Sequence, residues 1–194
     1  MESHFNELIR VAKKVYSKGL VHANIGNISC RVGDKVLISV LGVPLDNLDQ
    51  DGNVVVIDLK GNLLEGKAEP SSEKLMHLKL YNTRDDVEAV IHTHSSYASA
   101  FGYLRKGIQP VNPESEYLLR KVPIVPPFMY GTQELADSVA KHLKDNRAAL
   151  LAGHGVITVG KDLEEALYIA ELVEETAKIN YFVSTLKSNN PGHV

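Results

Sequence analysis

The sequence predicts a single domain of the α/β class, of the α+β type. Three observations lead there. The 194 residues fit one domain and are enough to bury a real core. Segments with apolar residues at helical spacing are interspersed with short runs rich in Val and Ile. Apolar residues make up 44% of the chain and charged residues 23%, ordinary proportions for a globular domain. The sequence shows no internal repeat, low-complexity segment or linker.

The elements follow in order. Phe5, Leu8, Ile9, Ala12 and Val15 recur at spacings of three and four, which predicts an amphipathic helix over 3–18 ended by Gly19. Residues 24–29 read as a small-residue turn entering a strand. Residues 35–40 are a strand stopped at Gly42-Val43-Pro44, and residues 54–59 are another, followed by a Lys60-Gly61-Asn62 turn and a short return strand. Pro70-Ser71-Ser72 precedes a helix running to about Tyr81. A strand carrying His92 comes next, then a small-residue helix around 96–103. Residues 106–121 read as irregular, and 122–127 as extended but too rich in proline for a central strand. Thr132 caps a helix at 133–144. Residues 147–159 suit a hairpin bent at Gly153-His154-Gly155. Asp162 and Glu165 form a capping box for a terminal helix to about Leu186. The domain is therefore expected over 1–187, with a frayed tail over 188–194.

Bulk properties exclude several functions. The net charge is −3 with no run of like charges, so binding of nucleic acid through a basic patch is not expected. No apolar stretch approaches the roughly 20 residues that span a membrane. The N-terminus lacks the pattern of a signal peptide. Cys30 is the single cysteine, which allows no intramolecular disulfide and reads as a small core residue. A reducing cytoplasm is the expected compartment.

The chemistry concentrates at His92-Thr93-His94 and His154. His92 and His94 follow an apolar run, and residues i and i+2 of an extended segment point to one face. His154 ends a second apolar run. Three neutral imidazoles with one open position suit a catalytic zinc-type site, with iron, cobalt, nickel or manganese as competitors. Glu73 could fill the open position or act as the base beside it. A glutamate in the first turn of a helix also commonly just complements the dipole. His4, His22, His77, His142 and His193 are expected on the surface or behind the ligands. Gly26-Asn27 and Ser71-Ser72 offer N–H and hydroxyl donors, the latter at a helix start where an anion is favoured. Composition alone favours a plainer reading, in which a serine only caps the helix and Gly26-Asn27 only turns the chain.

Taken together, these segments resemble the class II aldolase/adducin family. The resemblance runs through Gly26-Asn27-Ile28-Ser29-Cys30-Arg31, Pro70-Ser71-Ser72-Glu73 and His92-Thr93-His94-Ser95. It continues through Tyr130-Gly131-Thr132-Gln133-Glu134-Leu135-Ala136, His154-Gly155-Val156 and Gly160-Lys161-Asp162-Leu163-Glu164-Glu165-Ala166. It implies a mainly antiparallel sheet covered by helices on both sides, and a C4 homotetramer with active sites between subunits. It implies Zn²⁺ on His92, His94 and His154, with Glu73 nearby as acid/base. Phosphate would be cradled by Asn27, Ser71 and Ser72 with backbone from Gly26 and Gly42. The reaction implied is reversible retro-aldol cleavage of a deoxyketose 1-phosphate, such as L-fuculose 1-phosphate, to dihydroxyacetone phosphate and a small aldehyde.

Two departures bear on this. The family pattern places a hydroxyl where Ser39-Val40-Leu41-Gly42 has Leu41, so Ser39 and the backbone must compensate if phosphate binds there. A tyrosine contributed across the interface falls on Pro113 in an ungapped match, and Glu114, Glu116 and Tyr117 are the nearby candidates, with Tyr117 favoured. Related chemistries on the same frame are a pentulose-5-phosphate 4-epimerase and a methylthioribulose-phosphate dehydratase. A different class, a noncatalytic adducin-like interaction module, has no need of the three histidines.

Overall fold

A computed structural model describes residues 1–49 and 52–189. Among the described residues eight strands form one sheet: β1 (Asn27–Val32), β2 (Lys35–Ser39), β3 (Val54–Asp58), β4 (Leu63–Glu65), β5 (Ala89–Thr93), β6 (Ile124–Val125), β7 (Ala148–Leu151) and β8 (Gly155–Gly160). Their spatial order is β4-β3-β2-β1-β5-β8-β7-β6. Every pairing is antiparallel except β6 with β7. β6 is two residues long and sits at the sheet edge, where its flanking prolines cost no ladder hydrogen bonds on the open side.

Alternation along the strands sends side chains to two cores. Leu37, Val56 and Ile91 face one side, where they meet Leu8, Val11 and Val15 of α1 (Glu2–Ser17) and the start of α6 (Leu163–Asn189). Further along that side, Leu150 and Val156 meet α3 (Ser96–Tyr103) and the middle of α6. Ile38, Ile57, Val90 and Ile157 face the other side, where they meet α2 (Lys74–Thr83) and α5 (Gln133–His142). The sheet is thus covered by helices on both faces. Each fully buried Leu, Ile or Val contributes about 1.5–3 kcal/mol, so the layers hold their register firmly.

Three local expectations change. Residues 106–121 are not wholly irregular, because α4 (Pro113–Leu118) forms there. Asn112 Oδ1 accepts from the Ser115 N–H at 2.8 Å and Ser115 Oγ accepts from the Asn112 N–H at 3.1 Å, with Pro113 at the first helical position. The helix is too short to show an apolar period. The terminal helix runs past Leu186 to Asn189, so Ser188 is helical, and the remainder of the expected tail lies outside the described residues. Asp162 Oδ1 does accept from the Glu165 N–H at 2.7 Å, but the Glu165 carboxylate turns to the Lys161 N–H instead of closing the box. Among the described residues no helix is long and apolar enough to cross a membrane. Cys30 is buried, and burial, reinforced by Glu7 and Glu88, pushes its thiol up to about 12.

Candidate active site

The site forms where β1, β5 and β8 run side by side. Asn27 pairs with His92, and His92 with Ile157, so the end of β5 lies between two partners. His92 is fully buried. Its Nδ1 lies 2.8 Å from the Val156 carbonyl, which can only accept, so Nδ1 carries the proton and Nε2 faces the site. Gly155 makes this approach possible: a Cβ there would come within 2.4 Å of the Thr93 carbonyl oxygen. Gly26 does the same on the other side, with φ +87° and no room for a Cβ against Val21 and the His92 carbonyl. His94 continues the strand direction, its N–H bonded to the Leu20 carbonyl. His154 stands in the turn between β7 and β8.

The three imidazoles converge. His94 Nε2 is 3.0 Å from His92 Nε2, and the three candidate ligand atoms lie within 4.8 Å of one another. Glu73 joins them, with Oε2 3.1 Å from His92 Nε2 and Oε1 3.4 Å from His154 Nε2. Glu73 is the N-cap residue of α2 and not, as the sequence suggested, a residue of its first turn. Its side chain caps no amide of that helix; it turns inward and accepts from Asn27 Nδ2 at 3.0 Å.

Electrostatics follow from burial and proximity. Burial pushes the Glu73 carboxyl up, but His92 and His154 outweigh it and hold the group well below the usual carboxylate range. Burial pushes His92 down, but the Glu73 carboxylate prevails and raises it. Burial, with His92 and His154 nearby, takes His94 down to about 3, and burial with His92 takes His154 down to about 4. His94 and His154 are therefore neutral donors at pH 7, as metal ligation requires. The residues fit a divalent cation. Several nitrogen lone pairs are aimed at one point, and buried Glu73 Oε1 has no hydrogen-bond partner among the described residues.

A cavity of about 170 Å³ opens beside this cluster. It brings together the expected Gly26, Asn27, Gly42, Ser71, Ser72 and Glu73, with His94 and His154. Ser72 is exposed at its wall, whereas the Ser71 N–H is bonded to the Ser39 carbonyl and Ser71 Oγ accepts from the Glu73 N–H. Two of the expected residues lie off this cavity within the single chain. Ser39 is 1% exposed and its hydroxyl accepts from the Ile28 N–H at 3.2 Å, so it does not face the cavity. Tyr117 is 75% exposed on α4 and lines a separate cleft of about 470 Å³ with Arg84, Arg120 and Lys144. Leu41 does line the cavity, 49% exposed. Tyr130, to which the sequence assigns no role beyond its place in the Tyr130-Gly131-Thr132 segment, also lines it. The sequence also leaves His77 undistinguished, yet His77 is fully buried directly behind Asn27, 2.6 Å from its Oδ1.

Comparison with known proteins gives one answer. Residues 6–181 match the family described as Class II Aldolase and Adducin N-terminal domain. L-fuculose phosphate aldolase of Methanococcus maripaludis is 38% identical over 181 residues, 93% of this chain and 98% of that one. 5-Deoxy-D-ribulose 1-phosphate aldolase of Bacillus thuringiensis serovar kurstaki is 33% identical over 93% of this chain and 85% of its own. A solved structure of L-fuculose 1-phosphate aldolase superposes with a TM-score of 0.91 at 34% identity, covering 96% of this chain and 88% of that one.

Proposed function

The chain belongs to the class II aldolase and adducin family and is an aldehyde-lyase, and we propose that it cleaves a ketose 1-phosphate reversibly to dihydroxyacetone phosphate and a small aldehyde. The single observation that carries this reading is the convergence of His92, His94 and His154 on a buried carboxylate whose second oxygen has no hydrogen bond, beside a cavity edged by Ser72 and Asn27. A divalent ion held by the three histidines, zinc in this reading, would supply Lewis-acid stabilisation of negative charge on the substrate's carbonyl oxygen.

The chain's own residues do the rest. Ser72 and the second N–H of Asn27 bind the phosphate, with the Gly26 and Gly42 backbone beside them. Cleavage breaks the bond between C3 and C4, and the electron pair stays with C3. The C4 hydroxyl gives up its proton as the aldehyde departs. Glu73 then delivers a proton to C3 and takes one away in the condensation direction. Burial of Glu73 keeps bulk water from doing so at random. Tyr117, remote from its own subunit's cavity, serves as the acid/base at C4 of a neighbouring subunit, in a homotetramer with sites between copies.

L-Fuculose 1-phosphate and 5-deoxy-D-ribulose 1-phosphate, the compounds in the names of the two relatives, differ only beyond C3. One supplies lactaldehyde and the other acetaldehyde. Either substrate, given to metal-replete protein, should yield dihydroxyacetone phosphate. If neither is cleaved, or if the product is an epimer or a dehydrated sugar, the aldolase reading fails.

A further inference from the structure

Behind Glu73 a line of buried polar side chains crosses from the sheet to α2. Asn27 and Ser29 lie two residues apart on β1 and so share a face. His77 and Tyr81 lie four apart on α2 and share a face too. The faces meet: Asn27 Oδ1 is 2.6 Å from His77 Nε2, His77 Nδ1 is 2.7 Å from Ser29 Oγ, and Ser29 Oγ is 2.7 Å from the Tyr81 hydroxyl. With Glu73, all five residues are between 0 and 6% exposed.

We infer that His77 is a positioning residue, which with Ser29 and Tyr81 behind it fixes the Asn27 amide so that its NH2 end faces Glu73 and the cavity.

The direction of every bond follows from the Glu73 end. A carboxylate only accepts, so Asn27 must present Nδ2 to it and Oδ1 to His77. Asn27 Oδ1 then requires a proton on His77 Nε2. A neutral ring leaves Nδ1 bare, so the Ser29 hydroxyl donates to it. Ser29 Oγ in turn accepts from the Tyr81 hydroxyl. Asn27, His77 and Ser29 each give one proton and receive one along the line, which ends at the Tyr81 hydroxyl as donor, and none of the three has a second arrangement that satisfies its neighbours. Reversing the line would point Asn27 Oδ1 at the Glu73 carboxylate. Complete burial, with His92 nearby, takes His77 down to about 3, so the ring stays neutral. Four buried polar side chains would be a costly way to pack a helix on a sheet where leucines would serve. What they gain is an amide that cannot flip. One N–H of Asn27 goes to Glu73, and the other is free to meet an anionic group in the cavity, a consequence that rests on the proposed phosphate-bearing substrate.

The test uses metal-free protein without substrate, so it stands apart from the reaction. Nitrogen-15 spectra of the His77 ring should show Nε2 protonated and Nδ1 bare, unchanged from neutral pH down to about pH 5. The Asn27 side-chain amide protons should exchange slowly with solvent. In His77→Leu, which removes the anchor, that exchange should accelerate about tenfold, the equivalent of one lost hydrogen bond. In His77→Gln, which keeps an N–H near the position of Nε2, it should stay within about threefold of wild type. If His77 only filled space, Asn27 exchange would not differ between His77→Leu and His77→Gln. An Nδ1-protonated tautomer, a charged ring at neutral pH, or equal Asn27 exchange in wild type and His77→Leu would overturn the inference. Should His77→Leu not fold, the tautomer and the His77→Gln exchange rate decide it. Failure of the reaction itself would show as absent turnover with these spectra intact.

Discussion

Replacing Glu73 by Gln separates a proton carrier from a charge that merely sits at a helix start. The substitution keeps shape and one carbonyl oxygen, which can still accept from Asn27 Nδ2. The new amide end would occupy the place of Oε1, 3.4 Å from His154 Nε2, to which it could donate in the metal-free protein. A bond to a charged acceptor becomes a neutral one, at a cost of about 1 kcal/mol. Removing a buried charge offsets part of that. Folding stability should therefore change by no more than about 1–2 kcal/mol. Since Glu73 caps no amide of α2, a dipole role offers at most about 0.3–1 kcal/mol. Catalysis should respond on a different scale: turnover falls by about 10²–10⁴, the usual loss on removing a general acid or base. That is about 3–5 kcal/mol of barrier, well above the stability change. The decisive assay follows exchange of the C3 proton of dihydroxyacetone phosphate with deuterated solvent by NMR, with no aldehyde present. Exchange should slow with turnover in a folded, metal-replete variant. Exchange at the wild-type rate would refute the proton-carrier role.

Three further outcomes follow from the same geometry. Ser72→Ala should raise KM for a phosphorylated substrate about 10- to 100-fold, as one lost bond to an anion requires, and leave the unphosphorylated analogue unaffected; Leu41→Thr, adding a hydroxyl to the cavity wall, should lower KM modestly. If Tyr117 serves a neighbour, Tyr117→Phe and His92→Ala proteins should each be nearly inactive yet regain activity when unfolded and reassembled together, and mixed assemblies that stay inactive would remove Tyr117 from the site. Metal-free protein should lose stability in acid through His77, whose folded value of about 3 lies below its ordinary 6.5. Between those values the unfolded chain binds the proton that the folded chain refuses, so stability is full above about pH 6.5 and falls as pH drops. The share of His77 in the loss by pH 5.5 is about 1 kcal/mol, beside similar shares from His94 and His154, so denaturant melts of His77→Gln should show an acid loss smaller than wild type by about that amount.

Much of the site was legible because it rests on short-range periodicity. The two-residue repeat of a strand puts His92 and His94 together, and the hairpin bend places His154 at a strand end. The partners of Glu73 were not legible. Its inward turn depends on the pairing of Asn27 with His92 across β1 and β5, and no local pattern encodes that register. The helix start misled in the same way, since Pro70-Ser71-Ser72 marks the right place but the cap falls one residue later, on Glu73. Ser39 lies off the cavity because it ends β2 bonded to the Ile28 N–H of the adjacent strand, a pairing that its own segment does not encode. α4 escaped notice because six residues cannot show a helical period, although Asn112-Pro113 carried the signal of its start. His77 looked like any lone histidine; its meaning lies in the Asn-x-Ser of a strand meeting the His-x-x-x-Tyr of a helix, a pairing only the fold reveals.

The account rests on His92, His94 and His154 forming a metal centre on which the chemistry depends. Its most direct test measures bound divalent metal per subunit in purified wild-type protein and in His92→Ala, His94→Ala and His154→Ala, alongside cleavage activity with and without a chelator. The geometry predicts about one ion per subunit in the wild type, chelator-sensitive cleavage, and loss of both metal and activity in each variant. Full metal occupancy in all three variants, or cleavage that persists after the metal is stripped, would contradict it.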